Sequence, residues 1–492
     1  MTIGRRQFNR GLVAGLSAGL VRAAPARPKL MVLLVVEQLR ADLMETLAPQ
    51  FVQGGFRRLL ARAAQFPDCR HLASTFSSTA LSTLATGAWP DQHGMVAENW
   101  FSRASNSMVP ASSEMLLAGT LCAQIAAAAP HTRSFVIARN ATQAGLFAGN
   151  SGTRQFFRNP RGQYATLGEP PAWMVQFNAA RGLETAYNTR WFALDARPGA
   201  PPLRTLTYDP ARAGEFLNLY LGSPFAQDAD LELLGTLIEQ EKLGQGESTD
   251  FVCLIAGSSS VLGYEIGGID PLQRQLILHL DRQLEALLLR MSRAPGENAF
   301  SFVLAGAHGA PSAPRPDTRA RMAVAGETVA QIVDKALQAT ASGRVHRYLY
   351  PFLYLDPILT RDPEAVRVIA GRAALEHPGV AAFYTAGGFC STRDAWENRF
   401  RNSFHLRRSG DVMLSYREGY VEDYNQGRGI SYGSLYNYDV RVPLWLFGPQ
   451  FRAGVYEGAV ASVDVAPTLA RMLGVAEPPS STGRVLTEAL AT

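Results

Sequence analysis

The sequence predicts an α/β fold built on a mostly parallel central sheet. Short, continuous apolar runs recur along the chain and lack the alternation of a half-exposed strand, so we expect strands that are buried on both faces. Amphipathic stretches with helical spacing lie between these runs. Strands that alternate with helices are typical of α/β proteins. The five apolar runs span residues 30–36, 135–138, 251–256, 302–306 and 442–448.

Two of the intervening stretches show a clear helical period. Their apolar side chains recur at intervals of three and four residues, which places them on one face of a helix. These side chains are Phe56, Leu59, Leu60 and Ala63 after the first run, and Leu276, Leu280, Leu284 and Leu287 after the third. Each of the two helices is therefore expected to pack its apolar face against the sheet.

Length and composition favour a large globular protein. The chain has 492 residues, of which 47% are hydrophobic and 18% charged, so it can bury a large core and is neither disordered nor fibrous. Lys and Arg are interspersed with acidic residues, and the net charge of +5 forms no basic cluster, so we expect no nucleic-acid partner. The α/β core is assigned to residues 27–149, 231–315 and 431–492, with a cap insertion at 150–230 and a second insertion at 316–430.

The first 26 residues are typical of an export signal. Arg5 and Arg6 precede a weakly apolar run, and an Ala-Pro-Ala sequence at 24–26 offers a small-residue cleavage site. This pattern predicts a twin-arginine signal and a periplasmic or secreted protein, although a Sec signal or an ordinary basic N-terminus would share some of its features. No later stretch reaches about 18 apolar residues, so we expect no transmembrane segment in the mature chain.

An oxidising compartment would permit disulfides. Cys253 lies inside an apolar run and is interpreted as a buried core residue, whereas Cys69, Cys122 and Cys390 could pair in more than one way.

The segments that follow the predicted strands carry a family resemblance. They include Glu37, Arg40 and Asp42 after the first run, GGF at 54–56, TLATG at 83–87, WPDQHG at 89–94, ENWF at 98–101, LGQGESTDF at 243–251, RSGDV at 408–412 and VDVAPTLARMLGV at 463–475. This series resembles the alkaline phosphatase superfamily, specifically the phosphate-irrepressible alkaline phosphatases and the type I phosphodiesterase/nucleotide pyrophosphatases. The resemblance implies a three-layer αβα sandwich with cap-like insertions. It also implies a two-zinc site that holds phosphate between the metals and a Ser or Thr nucleophile.

Several positions that match the family's site carry altered side chains. Glu37 stands where the family has Asp. Ser77 matches the nucleophile, although Thr75, Ser78 and Thr79 are close enough to leave that assignment open by a residue or two. Glu98 stands at the position of a substrate-contacting Asn. Asn140 and Thr142 match a Lys and an Arg that hold phosphate in the family.

Four positions that match zinc ligands carry residues that are poor ligands. They are Ser260, Tyr264, Ala307 and Tyr432. His308 is retained, and the other histidines lie outside the ligand-bearing strand ends, so no shift of a few residues restores the site. We therefore expect no two-metal centre and at most one weakly bound zinc at Glu37, Ser77 and His308.

These substitutions predict a pseudophosphatase with a binding, scaffolding or assembly role and an unidentified protein partner. Tyr264 and Tyr432 are expected to fill the volume of the lost metal. The alternative is an active or residual metal-dependent phosphate-ester hydrolase that uses Ser77 as its nucleophile. A metal-independent activity of another class has no support from a glycine-rich phosphate loop or a GxSxG motif.

Overall fold

The computed structural model describes residues 27–491, apart from 129–130, 315–321, 357–360, 386, 389–394 and 425–428. The predicted export signal and Cys390 therefore lie outside the described residues. The main sheet has ten strands: β1 (Leu30–Val36), β2 (Ala64–Arg70), β3 (Ser134–Ala138), β4 (Arg154–Arg158), β5 (Tyr164–Thr166), β6 (Asp250–Ala256), β7 (Phe300–Gly306), β8 (Arg441–Phe447), β9 (Gly454–Val455) and β10 (Val460–Ala461).

The strand order of this sheet is β9-β2-β8-β7-β1-β6-β3-β4-β5, and β10 also pairs with β2. Strands β7, β1, β6, β3 and β4 run parallel. The last long strand, β8, runs antiparallel to both of its neighbours, β7 and β2. The predicted α/β fold with a mostly parallel sheet is confirmed, and all five predicted runs form strands.

The helices cover both faces of the sheet. The described helices are α1 (Ala41–Leu47), α2 (Phe56–Arg62), α3 (Ser77–Thr86), α4 (Pro90–His93), α5 (Leu121–Ala128), α6 (Ala141–Ala148), α7 (Ala172–Ala180), α8 (Ala213–Leu221), α9 (Pro224–Gln240), α10 (Ser258–Ile266), α11 (Pro271–Met291), α12 (Gly326–Ala339), α13 (Pro363–Ala374), α14 (Ala395–Ser403), α15 (Asn437–Val440) and α16 (Val465–Leu473).

Alternate side chains of β1 enter different cores, as the two-residue period of a strand requires. Leu30, Val32 and Leu34 pack in one cluster with apolar residues of α1, α2, α9 and α11. Met31 and Leu33 pack in the other with residues of α3, α5, α6 and α16. This arrangement gives three layers, with the sheet between two layers of helices.

Both predicted helical faces are buried in the structure. Leu276, Leu280, Leu284 and Leu287 of α11 are each at most 2% exposed. Phe56 and Leu59 of α2 are fully buried, and Leu60 packs at the edge of the same core.

The two predicted insertions differ in their relation to the main sheet. Within 150–230, β4 pairs with β3 and β5 pairs with β4, so the start of this segment extends the main sheet instead of leaving it. Within 316–430, a separate antiparallel sheet is formed by Val345–Leu349, Phe352–Leu355, Val380–Thr385 and Val412–Tyr416. Helices α12 and α13 pack on this second sheet, around a hydrophobic cluster of its own.

Three cysteines in the described part of the chain, Cys69, Cys122 and Cys253, are buried and unpaired. No described helix is both long enough and apolar enough to cross a membrane.

Candidate functional site

Three adjacent parallel strands end at the same edge of the main sheet. Strands β6, β1 and β7 lie side by side in register, so the segments that follow Ala256, Val36 and Gly306 are brought together. In open α/β sheets, ligands bind outside the carboxyl ends of the strands. This topology places Glu37 and His308 beside the start of α10, and α3 supplies Ser77 as its first residue.

Ser77 and His308 are in contact, and both are buried. The His308 Nδ1 lies 2.7 Å from the carbonyl oxygen of Gly309, and its Nε2 lies 3.3 Å from the Ser77 Oγ. Burial lowers the pKa of His308, so the neutral imidazole is favoured. A neutral ring that donates from Nδ1 to Gly309 must accept at Nε2, and the Ser77 hydroxyl is then the donor.

Tyr432 covers the histidine on one side. Its ring stacks on the His308 ring at a centroid distance of 4.9 Å and an interplanar angle of 15°. Burial, followed by the negative charges of Glu98 and Glu37, raises the pKa of Tyr432, so the phenol stays protonated at neutral pH. The space beside His308 is thus filled by a neutral aromatic side chain.

Glu37 is fully buried at the end of β1. Its Oε1 accepts a hydrogen bond from the Gln143 side-chain amide at 3.0 Å. Its Oε2 has no hydrogen-bond partner among the described residues. Buried carboxylate oxygens are normally satisfied, so this atom marks the one place where Glu37 could still contact a bound group.

The carboxylate of Glu98 lies at the N-terminus of α3. Its Oε1 accepts a hydrogen bond from the backbone N–H of Ser78 at 3.1 Å. The free N–H groups and the dipole of a helix N-terminus favour anions. Surrounding protein and the charge of Glu37 raise the pKa of Glu98. The protein's own carboxylate therefore occupies the anion-binding end of the helix.

Asn140 and Thr142, the predicted phosphate-contacting positions, lie at the start of α6. Asn140 caps α6, because its Oδ1 accepts the backbone N–H of Gln143 at 2.9 Å. Thr142 is exposed and lines a different cavity together with Phe157 and Leu217.

Arg139, which the sequence analysis missed, supplies positive charge to the site. Its positive charge lowers the pKa values of Glu98 and Tyr432, but burial raises both pKa values by more. A Cβ on Gly257 would lie 2.8 Å from the Glu37 Oε2 and 3.2 Å from the Arg139 Nε, so the two side chains meet over that glycine. In the sequence, Arg139 could have been recognised as a site residue from its position at the end of β3, directly before Asn140.

The remaining altered positions also surround this centre. Ser260 is buried in the first turn of α10, and Ala307 follows β7 and donates its N–H to the carbonyl of Val36. Tyr264 is 38% exposed and lies on the wall of an adjoining cavity.

These residues do not fit two zinc ions. The donor set of the centre consists of the carboxylates of Glu37 and Glu98, the imidazole of His308 and the hydroxyl of Ser77. Zinc sites use three or four Asp, Glu, His or Cys ligands for each ion, so this set is too small for two ions. Within the described ranges, no group of three or more His, Cys, Asp and Glu side chains is arranged to hold a metal.

A cavity of about 370 Å³, called here the aromatic cavity, adjoins the centre. Six of its lining residues are aromatic: Phe76, Tyr264, Tyr348, Tyr350, Tyr424 and Tyr432. Four others are acidic: Glu98, Glu327, Glu422 and Asp423. Glu98 and Tyr432 line the aromatic cavity and also belong to the centre that contains Ser77 and His308. The aromatic cavity therefore opens directly onto that centre.

Glu422 is the most enclosed of these acids. It is 5% exposed and accepts hydrogen bonds from the hydroxyls of Tyr348, at 2.6 Å, and Tyr416. Burial raises the pKa of Glu422 to about 7, and the nearby charge of Glu327 adds to this effect. A second carboxylate close to Glu422 makes this end of the cavity electrostatically negative.

Comparison with known proteins identifies similar chains over nearly the whole length. The family model "Type I phosphodiesterase / nucleotide pyrophosphatase" matches residues 31–434. Alkaline phosphatase PafA of Elizabethkingia meningoseptica is 23% identical over 544 residues, which cover 97% of each chain. Alkaline phosphatase PhoK of Sphingomonas is 25% identical over 506 residues, covering 92% of this chain and 90% of the relative.

Solved structures agree in fold. The crystal structure of wild-type PafA superposes with a TM-score of 0.83 at 20% identity, covering 95% of this chain and 100% of that one. Murine ectonucleotide pyrophosphatase / phosphodiesterase 5 gives a TM-score of 0.55 at 14% identity, covering 91% of this chain and 96% of that one.

Proposed function

Since the chain belongs to the type I phosphodiesterase / nucleotide pyrophosphatase family, within the alkaline phosphatase superfamily, we propose that it is a pseudophosphatase that acts by binding. In this proposal the fold is retained, the two-zinc centre is lost, and the site serves recognition, scaffolding or assembly. Function is carried by the site and not by the fold, so the argument concerns the residues at the centre.

The position of Glu98 carries the proposal. Its carboxylate accepts a hydrogen bond at the start of α3, where a phosphate group would otherwise be favoured. Two Zn²⁺ ions would bring strong positive charge to such a centre, whereas the charged side chains that the described residues bring here are Glu37, Glu98 and Arg139. Among these, carboxylates outnumber the one cation, so a phosphate ester would be repelled by them.

The contact between Ser77 and His308 favours one alternative, a residual hydrolase. A serine hydroxyl that donates to a neutral imidazole is the first requirement for general-base activation of a nucleophile. The oxyanion formed in such a reaction also needs donors, and the backbone N–H of Ser78, the residue after the nucleophile, is engaged by Glu98. This competition is why the binding role is preferred over hydrolysis by Ser77.

Export and a protein partner complete the proposal. The paired arginines and the Ala-Pro-Ala sequence within residues 1–26 support twin-arginine export to the periplasm or beyond. A protein that binds without turnover would act there through a partner, and the aromatic cavity offers a recognition surface next to the centre.

The test is turnover of p-nitrophenyl phosphate by protein purified without chelator, with and without added zinc. We expect the wild type to hydrolyse no faster than Ser77→Ala under either condition, because Glu98 opposes phosphate and the zinc ligands are missing. Thermal unfolding of both variants controls for folding. Zinc-stimulated turnover that disappears in Ser77→Ala would overturn the pseudophosphatase proposal in favour of the residual hydrolase.

A further inference from the structure

We infer that the aromatic cavity binds an organic cation, either a quaternary ammonium or an alkylammonium group. The inference deepens the proposed function by naming the chemical class of the ligand, and it shares Glu98 and Tyr432 with the centre on which that proposal rests. The evidence comes from three features of the cavity: its rings, its charges and its size.

The rings form walls at steep angles to one another. Phe76 meets Tyr350 at 73° with centroids 6.3 Å apart, and Tyr350 meets Tyr424 at 77° with centroids 6.5 Å apart. Phe76 also meets Tyr432 at 54° and 6.3 Å. Rings set in this way present several faces to one volume, as in the aromatic cages that recognise quaternary ammonium groups. A flat neutral ligand would instead be favoured by parallel faces, which these pairs do not offer.

Some of these aromatic surfaces remain open inside the cavity. Tyr424 is 51% exposed and Tyr264 is 38% exposed, although both belong to the cavity wall. A tyrosine ring is largely apolar, and a cation placed against its face is attracted by the ring quadrupole. These two rings therefore provide contact surface that no other described side chain covers fully.

The charges select a cation over an anion. Glu98, Glu327, Glu422 and Asp423 line the cavity, and no Lys or Arg does so among the described residues. An alkylammonium group would be attracted by the carboxylates of Glu98, Glu327 and Glu422, whereas a phosphate or carboxylate would be repelled by them.

The size of the cavity fits a small ligand or a single side chain. Its volume of about 370 Å³ lies at the lower end of the range of small-molecule sites. A free amine and the side chain of a lysine or methylated lysine on a partner protein present the same chemistry to this cavity. The experiment below separates these two sources.

Calorimetric titration of the full-length protein tests the ligand class. The probes are choline, tetramethylammonium and an N-acetylated lysine amide with and without ε-trimethylation. Dimethylbutanol, the uncharged carbon isostere of choline, is the matched control. We expect at least one cation to bind at least about tenfold more tightly than this alcohol, because only a charge gains from the rings and carboxylates. Preference for choline would indicate a free amine, and preference for a lysine derivative would indicate a protein side chain.

Variants of Tyr424 and Glu327 test the site. Tyr424→Leu keeps apolar bulk but removes the ring, and it should weaken cation binding by about fivefold. Tyr424→Phe keeps the ring and should bind as the wild type does. Glu327→Gln, at an exposed position in the first turn of α12, should weaken binding by about threefold. Equal affinities of Tyr424→Leu and Tyr424→Phe would contradict the assignment to this cavity.

The two proposals can fail separately. Equal affinity for choline and dimethylbutanol, or no cation binding up to about 10 mM, would overturn the cation inference and leave the pseudophosphatase proposal standing. Phosphocholine that binds much more tightly than choline would show that the adjoining centre still accepts phosphate. That result would contradict the proposed function while supporting the cation site.

Discussion

Replacing Glu98 with asparagine is expected to create a phosphate site where the wild type has none. The substitution removes a negative charge from the N-terminus of α3 and frees the N–H group of Ser78 from the carboxylate. Asparagine is also the residue that the phosphatase resemblance implies at this position. We expect affinity for inorganic phosphate to rise at least about tenfold, which phosphorus NMR or calorimetry would measure.

A matched carboxylate in the same cavity controls for net charge. Glu327 lines the aromatic cavity on α12, and it has no described contact with the start of α3. Glu327→Asn removes the same charge and should raise phosphate affinity far less than Glu98→Asn does. Similar phosphate affinities for the wild type and Glu98→Asn would mean that Glu98 does not exclude the anion.

Gly309→Ala is expected to be strongly destabilising. An ideal Cβ on Gly309 would lie 1.9 Å from the backbone oxygen of Tyr438, and a backbone atom cannot move aside as a flexible side chain can. The same glycine donates its N–H to the Asp439 carbonyl at 2.6 Å and accepts from His308 Nδ1. We expect the free energy of unfolding to fall by about 3 kcal/mol or more, measured by urea denaturation.

Gly458→Ala is the control for this substitution. Gly458 is exposed, and a Cβ there would have nothing within 4 Å. The added methyl group should leave the free energy of unfolding within about 0.5 kcal/mol of the wild type. If Gly309→Ala unfolded at the same urea concentration as Gly458→Ala, the tight approach of Tyr438 to the centre would be refuted.

The sequence predicts the core of the fold well because continuous apolar runs have few alternatives to a doubly buried strand. The run at 30–36 coincides with β1, whose alternate residues fill the cores on both faces. It does not predict β2, whose sequence AQFPDCR is only partly buried and includes Pro67. It also leaves the direction of β8 open, since strand direction depends on tertiary pairing that a local pattern does not encode.

The centre is less predictable because its residues come from distant parts of the chain. The sequence identifies Glu37, Ser77, Glu98 and His308 as candidates, but their hydrogen bonds depend on how the strand ends meet. Arg139 directly precedes the predicted site residue Asn140, and its charge acts on Glu98 and Tyr432 of the centre. At a junction between strand and helix, a shift of one residue changes the direction of the side chain, and Asn140 caps α6.

The aromatic cavity could not be predicted from a local pattern. Phe76, Tyr264, Tyr350 and Tyr424 lie on segments far apart in sequence, and only the packing of the second insertion against the core brings them together. In the sequence, each of these residues resembles an ordinary core or surface aromatic.

Zinc content tests the central claim most directly. The protein would be incubated with excess zinc, freed of unbound metal by gel filtration, and analysed for zinc per chain, with His308→Ala as the control. The account predicts less than one zinc per wild-type chain, lowered further by His308→Ala, because Glu37, Ser77 and His308 cannot complete two zinc sites. Two tightly held zinc ions per wild-type chain would contradict it.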